Sequence, residues 1–151
     1  MAASEASFSK HARISARRSA VQALYQWHMT QVPISDVITE FENERSKMKK
    51  VDIDYFRDLL HGTVEQMTTL DDQLAPLLDR PVNELDPVER AVLHIGLYEL
   101  LFHPELPWRV VINESVELAK MFGAEQSHKF INGVIDKAAH QIRAAEISDA
   151  S

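Results

Sequence analysis

The sequence DPVERAVLHIGLYELLF, residues 86–102, decides the fold of this chain. Asp86 has the side chain of a helix N-cap, Pro87 suits the first helical position, and Glu89 stands where a capping box places a carboxylate. At about 100° per residue, apolar side chains fall on both sides of this helix. A surface helix would keep one side polar, so the pattern predicts a central helix contacted by several others. Only its first turn, with Glu89 and Arg90, is polar enough to reach the surface.

Length and composition indicate one compact all-α domain. The chain has 151 residues, with only 4 Gly and 6 Pro. It has no cysteine, which excludes disulfides and thiolate metal sites. No apolar run approaches the roughly 20 residues that a membrane helix needs, and the first residues lack the apolar core of a secretory signal. We therefore expect a cytoplasmic protein that makes no membrane contact.

The charge is distributed unevenly. The formal net charge is −7, which by itself disfavours nucleic acid as a partner. Residues 9–18, SKHARISARR, nevertheless hold 4 of the 16 Lys and Arg residues and no acid. The rest of the chain carries the other 12 basic residues against 23 acidic ones. One end of the first helix is therefore basic on an acidic body.

Apolar periodicity and helix-boundary residues predict seven helices in one domain, residues 9–143. Their expected ranges are residues 10–29, 33–41, 52–70, 71–78, 86–102, 107–122 and 127–142. Asp52 is the expected N-cap of the third helix, Gly123 a left-handed C-cap, and Ser127 the N-cap of the last helix. Residues 1–8 are expected to be a disordered tail and residues 144–151 a frayed one.

The first basic turns are expected to project from the core. The helical row that contains Trp27, Leu24 and Ala20 continues towards the N-terminus into Arg17 and Arg13. Burying unpaired guanidinium groups would be costly. We therefore predict that this end of the first helix is exposed.

A search for catalytic chemistry finds no convincing site. None of the seven histidines lies in an HExxH pair, and there is no glycine-rich phosphate loop or nucleophile elbow. The neighbouring carboxylates Asp71 and Asp72 are better explained by a helix N-terminus than by acid–base catalysis. We predict a non-enzymatic protein without catalytic residues, metal or cofactor.

Two features favour RNA as a ligand. The first is the basic start of the first helix, which could also be a solvated charged end. The second is the helix junction AKMFGAEQSHKF, residues 119–130. Lys120 precedes this corner, and Ser127, His128 and Lys129 stand at the next helix start, where free N–H groups favour an anion. Phe122 or Phe130 could stack on a base, but the corner taken alone favours a glycine-capped turn with core phenylalanines over a ligand site.

Four segments together resemble the NusB family of bacterial transcription antitermination factors. They are RRSAVQALYQW (17–27), DYFRDLLHG (54–62), VERAVLHIGLYEL (88–100) and VVINESVELAKMFGAEQSHKFINGVIDKAA (110–139). The resemblance extends over about residues 10–143. It implies an all-helical fold of about seven helices in two packed three-helix subdomains.

The resemblance also implies function. Such a protein binds the boxA element of nascent ribosomal RNA transcripts together with the ribosomal protein NusE. That complex joins RNA polymerase with other Nus factors and suppresses transcription termination. By position, the RNA contacts that the resemblance implies are Lys10, His11, Arg13, Arg17, Arg18, Gln126, Lys129 and Phe130. The corner described above adds Lys120, Ser127 and His128 to the candidate RNA-binding residues. The implied protein-partner interface contains Tyr25 and Glu89, and we predict that the neighbouring Arg90 belongs to it as well.

One departure and two alternatives accompany this interpretation. Many relatives carry an acidic residue where Gln126 stands, so this chain lacks a negative charge near the expected phosphates. A NusB-like domain also precedes some ribosomal RNA cytosine methyltransferases, which makes an accessory of RNA processing or methylation the first alternative; no SAM-binding loop is present here. The second alternative is a homodimer of the free protein that hides the RNA surface.

Overall fold

The computed structural model describes residues 2–44 and 48–150. Within these ranges the chain is helical and has no strand, which confirms the predicted all-α class. The helices are α1 (Ala2–Thr30), α2 (Ile34–Asn43), α3 (Ile53–Glu65), α4 (Met67–Leu74), α5 (Pro87–Phe102), α6 (Trp108–Phe122), α7 (Ser127–Ile142) and α8 (Ala144–Ala150), with short 3₁₀ turns at Ala75–Leu77 and Val82–Glu84. The chain divides into two compact units, Met1–Glu65 and Gln66–Ser151.

The first unit is a bundle of three helices, α1, α2 and α3, each in contact with the other two. Its core contains the fully buried Leu24, Val37 and Phe56. Asp52 caps α3 as predicted, because its Oδ1 accepts a hydrogen bond from Tyr55 N at 3.0 Å. On the outside, Arg57 donates two hydrogen bonds to the Glu42 carboxylate, 2.6 and 2.9 Å long, and so ties α3 to α2.

The second unit is built around α5, as the sequence predicted. Every residue from Ala91 to Leu100 is buried, and α4, α6 and α7 all contact this helix. Asp86 is its N-cap, with a carboxylate that accepts hydrogen bonds from Val88 N at 3.0 Å and Glu89 N at 3.2 Å. Burial of consecutive positions leaves α5 no solvent side, which explains its apolar residues all round.

Arg143 closes the C-terminal end of α5. Its side chain is 7% exposed, and its guanidinium donates to the carbonyl oxygens of Leu100, Leu106 and His103 at 2.8–2.9 Å. It also forms an ion pair with Glu146, with Nη1 and Oε1 2.6 Å apart. One guanidinium thus satisfies carbonyls that a helix end leaves without partners.

Two helix boundaries differ from the prediction. The expected helix over residues 52–70 ends at Glu65, and α4 begins at Met67. Gln66, with φ −96° and ψ 14°, leaves the helical conformation between them. The apolar residues Val64, Met67 and Leu70 keep a three-residue spacing across this break, so periodicity could not reveal it. The unit boundary lies at the same place.

Helices extend into both ends of the chain. Helix α1 begins at Ala2 rather than near Lys10, and α8 occupies positions expected to fray. The contacts of Glu146 tie α8 to the rest of its unit. The described residues therefore contain eight α-helices, three in the first unit and five in the second. Residues 1, 45–47 and 151, which belong to the predicted tails and to the predicted charged loop, lie outside the described residues.

Candidate nucleic-acid and protein interfaces

The basic start of α1 presents several cations to solvent. Lys10, His11 and Arg18 are exposed. The side chain of Arg13 is 41% exposed, and its Nε lies 4.0 Å from Asp52 Oδ2. This long ion pair leaves most of the charge of Arg13 available to a ligand, because pairs near the surface are weak.

Arg17 does not project as the sequence predicted. It is only 4% exposed, and its guanidinium lies over the Tyr55 ring, 5.5 Å from the centroid. Arg13 contacts the same ring at 5.1 Å. The row of α1 that carries Trp27 and Leu24 continues into Arg17, and the aromatic ring compensates for part of the cost of burying a cation there. Arg17 thus serves the packing of the first unit and holds the neighbourhood of Arg13 in place.

The corner between α6 and α7 has a different geometry from the predicted one. Gly123 has φ −86° and ψ 170°, which is extended rather than left-handed. The left-handed residue is Gln126, with φ 75°. Glycine is nevertheless required at 123, because a Cβ there would lie 2.7 Å from Ala119 O and 2.8 Å from Ser127 Oγ. The tight corner therefore comes from close backbone approach at Gly123 and from a strained residue at 126.

Ser127 and Glu89 interact with each other instead of capping their own helices. Ser127 is the first residue of α7, and no side chain caps that helix. Its Oγ donates a hydrogen bond to Glu89 Oε2, with the two oxygens 2.6 Å apart. The carboxylate expected in a capping box thus binds the start of another helix. Because Ser127 is 5% exposed, its hydroxyl positions α7 rather than facing a ligand.

The remaining corner residues form an accessible basic surface. Gln126 and Lys129 are exposed, and His128 and Phe130 are half-buried. Lys120 is exposed as well, with its Nζ 3.5 Å from Glu117 Oε1. Proteins bind single-stranded nucleic acid with this arrangement, in which exposed cations contact phosphates and an aromatic ring stacks on a base.

Arg80 is a member of this surface that sequence reasoning missed. Its guanidinium lies over the Phe130 ring, 5.5 Å from the centroid, and donates to Asp79 Oδ1 at 2.9 Å. That hydrogen bond lowers the pKa of the Asp79 carboxyl. In the sequence, Arg80 indicated only a break between helices, because it precedes Pro81. Its distance along the chain from residue 130 gave no signal of the contact.

A separate groove in the first unit contains Tyr25. Its volume is about 690 Å³, and it is lined by Ser19, Gln22, Tyr25, Gln26, Met29, Thr30, Glu40, Phe41, Glu44 and Met48. Tyr25 is 39% exposed and Met29 57%. Two glutamates at the border of apolar side chains fit a partner with basic and apolar residues. The sequence predicted Tyr25 as an interface residue, but it did not reveal the contribution of α2.

Arg90, the third predicted interface residue, is half-buried at the start of α5. Its Nε is buried without a hydrogen-bond partner among the described residues. A buried donor of this kind gains from an acceptor supplied by a bound partner. Glu89 precedes it in the chain and is half-buried too.

Other kinds of site find no support in the part of the chain that the structure describes. It holds no group of three or more His, Cys, Asp or Glu side chains that could bind a metal ion. None of its helices has the length and hydropathy needed to cross a membrane.

The fold and these surfaces define an all-α protein with candidate RNA-binding and protein-binding faces. The profile of the NusB family matches residues 14–140. The chain is 52% identical over 138 residues to the transcription antitermination protein NusB of Alcanivorax borkumensis, with 91% of each chain covered. It is 53% identical over 132 residues to that of Serratia proteamaculans, covering 87% of this chain and 95% of the relative. The chain belongs to the NusB family.

Solved structures show the same fold. T. maritima NusB superposes with a TM-score of 0.76 at 32% identity, over 84% of this chain and 89% of that one. A crystal structure of the antitermination factors NusB and NusE in complex with double-stranded RNA gives a TM-score of 0.73 at 25% identity, over 83% of this chain and 93% of that one.

Proposed function

We propose that this protein is a transcription antitermination factor that binds boxA RNA of nascent ribosomal RNA transcripts together with the ribosomal protein NusE. The observation that carries the proposal is the accessible basic and aromatic surface of Lys129, Phe130 and Arg80 on an otherwise acidic chain of the NusB family. The names of its relatives and the solved complex of NusB, NusE and RNA support it.

RNA contacts come from both basic clusters. In α1 these are Lys10, His11, Arg13 and Arg18, while the buried Arg17 supports Arg13 through Tyr55. At the corner they are Lys120, Gln126, His128, Lys129 and Phe130. Ser127 contributes by positioning α7 through Glu89. Because a single strand gives a log–log salt slope of about −0.7 per phosphate neutralised, four contacts at the α1 end would give a slope of about −3.

The partner protein supplies additional affinity. We assign two candidate contacts to NusE. One is the Tyr25 groove of the first unit, with its two glutamates. The other is Glu89 with Arg90 in the second unit, where Arg90 Nε has no hydrogen-bond partner among the described residues. A partner that also contacts RNA turns the second binding event into an intramolecular one, which raises the overall affinity. The complex acts in the cytoplasm, on RNA polymerase and with other Nus factors.

The deciding experiment is a titration of a boxA oligoribonucleotide at several salt concentrations, with and without NusE. Arg18→Ala should weaken binding and make the salt slope less steep by about 0.7. Arg18 is exposed, so helicity should not change. Arg109→Ala removes an exposed cation in the second unit and serves as the control. Equal affinity for boxA and a scrambled sequence would contradict sequence-specific recognition.

Self-association of the free protein is a separate proposal. A homodimer that covers the RNA surface would dissociate when RNA is added. Sedimentation of the protein with and without boxA RNA tests this directly. A single monomeric species under both conditions would exclude the homodimer.

A further inference from the structure

Gly133 has no structural reason to be glycine. It lies inside α7 and is exposed. A Cβ built there meets nothing within 4 Å, whereas one at Gly96 would lie 2.7 Å from Ser115 Oγ. Glycine is the weakest helix former apart from proline. Packing therefore explains Gly96 but leaves Gly133 unexplained, and a helical glycine without a packing role is a candidate for a functional one.

The space beside Gly133 is a groove of about 260 Å³. It is lined by Leu77, Asp79, Lys129, Phe130, Gly133, Val134 and Lys137. Lys129, Gly133 and Lys137 follow one another at intervals of four residues, so they lie on one face of α7. At a rise of about 1.5 Å per residue, the two lysine backbones are about 12 Å apart along the helix. The groove lining thus has no side chain at position 133 and contains two lysines, one on each side of Gly133 along α7.

An aromatic ring borders the same groove. Phe130 is half-buried, and the Arg80 guanidinium covers part of its ring without lining the groove itself. Arg80 is paired with Asp79, which limits how far the guanidinium can move. This arrangement fits a planar base with phosphates on either side. The base can lie against the Phe130 ring and the backbone at Gly133, and the ammonium groups of Lys129 and Lys137 can pair with the phosphates.

We propose that this groove binds one nucleotide of the RNA. Its base lies against Phe130 and over the backbone of Gly133, while Lys129 and Lys137 pair with phosphates. Arg80 is a positioning residue that holds the Phe130 ring. The inference rests on the proposed RNA-binding function and assigns roles to Gly133, Lys137 and Arg80.

Filling the groove tests the proposal. Gly133→Leu should lower affinity for the boxA oligoribonucleotide in the presence of NusE by at least tenfold. Gly133→Ala should lower it by a smaller factor while raising Tm by about 2–4 °C, since alanine is the better helix former. Asn132→Leu is the matched control: it adds the same side chain to the neighbouring exposed position, outside the groove lining, and should bind RNA as the unaltered protein does.

Charge removal gives an independent readout. Lys137→Gln should weaken binding and flatten the salt slope by about 0.7, while Arg109→Gln should change neither. Arg80→Gln should weaken binding with a smaller change of slope, because it acts through Phe130.

The outcomes separate the two proposals. If the unaltered protein binds boxA RNA and both Gly133→Leu and Lys137→Gln bind equally well, the groove assignment is overturned and the RNA-binding function stands. If the unaltered protein binds no RNA even with NusE, both are overturned. Loss of affinity in Gly133→Leu with unchanged helicity, beside an unaffected Asn132→Leu, supports the groove.

Discussion

The hydroxyl of Ser127 and the carboxylate of Glu89 are hydrogen-bonded at 2.6 Å and join the first turn of α7 to the first turn of α5. Glu89 belongs to the proposed NusE interface, and α7 carries Lys129 and Phe130 of the proposed RNA surface. A single hydrogen bond therefore connects the helices that present the two interfaces of the second unit. A change at Glu89 will affect both the partner surface and the position of α7.

Ser127→Ala separates these two effects, because it removes the hydrogen bond and keeps the carboxylate. Leaving the half-buried Glu89 without this donor should lower the free energy of unfolding by about 1–2 kcal/mol. NusE affinity should fall much less than in Glu89→Lys, which also inverts the charge. Urea unfolding and NusE titration measure the two quantities. An equal loss of NusE affinity in both variants would mean that Glu89 acts only through α7.

The sequence predicted the parts of this fold that depend on local pattern. Apolar residues on both sides of the segment at 86–102 predicted the buried α5. The carboxylate of Asp86 predicted the N-cap of α5, and that of Asp52 predicted the N-cap of α3. The four segments that resemble the NusB family correctly predicted membership of that family. These signals succeed because they depend on residues close together in the chain.

Features that depend on tertiary contacts were beyond sequence reasoning. The burial of Arg17 depends on Tyr55, and the role of Ser127 depends on Glu89, each far away along the chain. Arg80 joined the candidate site only through its contact with Phe130. In each case the environment of the side chain depends on a partner residue that helical periodicity and helix-boundary residues do not reveal.

Arg143→Lys should destabilise the protein substantially. The guanidinium donates to four carbonyl oxygens of the α5 C-terminus and the following turn, and it pairs with Glu146. Lysine keeps the charge but lacks the planar fork of donors, so buried carbonyls lose their partners. We expect a loss of about 2–3 kcal/mol in the free energy of unfolding by denaturant. Arg109→Lys, at an exposed position, is the control, and an equal effect there would contradict this account.

Glu146 should make stability depend on pH in the acidic range. Its carboxylate accepts a hydrogen bond from Trp108 N at 3.0 Å, and this bond, together with Arg143, lowers the pKa of Glu146 from 4.5. The unfolded chain therefore takes up this proton at a higher pH than the folded one. The stabilisation is complete above about pH 4.5 and is lost as the pH falls through the folded-state value.

Glu146→Gln tests this dependence. At pH 7 the variant should have a free energy of unfolding about 1 kcal/mol lower than that of the unaltered protein, as when a helix loses its N-cap. This difference should shrink below pH 4. Glu125→Gln, at an exposed carboxylate, is the control. A difference that stays constant from pH 7 to pH 3 would show that the charge of Glu146 does not contribute.

Alanine at the two helical glycines of the second unit should change stability in opposite directions. At Gly96 the added Cβ would lie 2.7 Å from Ser115 Oγ and 2.9 Å from Ile135 Cδ1, so side chains of α6 and α7 must shift. Such overpacking costs about 1–3 kcal/mol, more than the helix propensity of alanine returns, and we expect Gly96→Ala to destabilise by about 1 kcal/mol. At Gly133 the Cβ enters open space, and Gly133→Ala should stabilise by about 0.5–1 kcal/mol. Thermal and urea unfolding of both variants measure the signs. Stabilisation by Gly96→Ala would mean that α5 is packed less closely against its neighbours than these distances require.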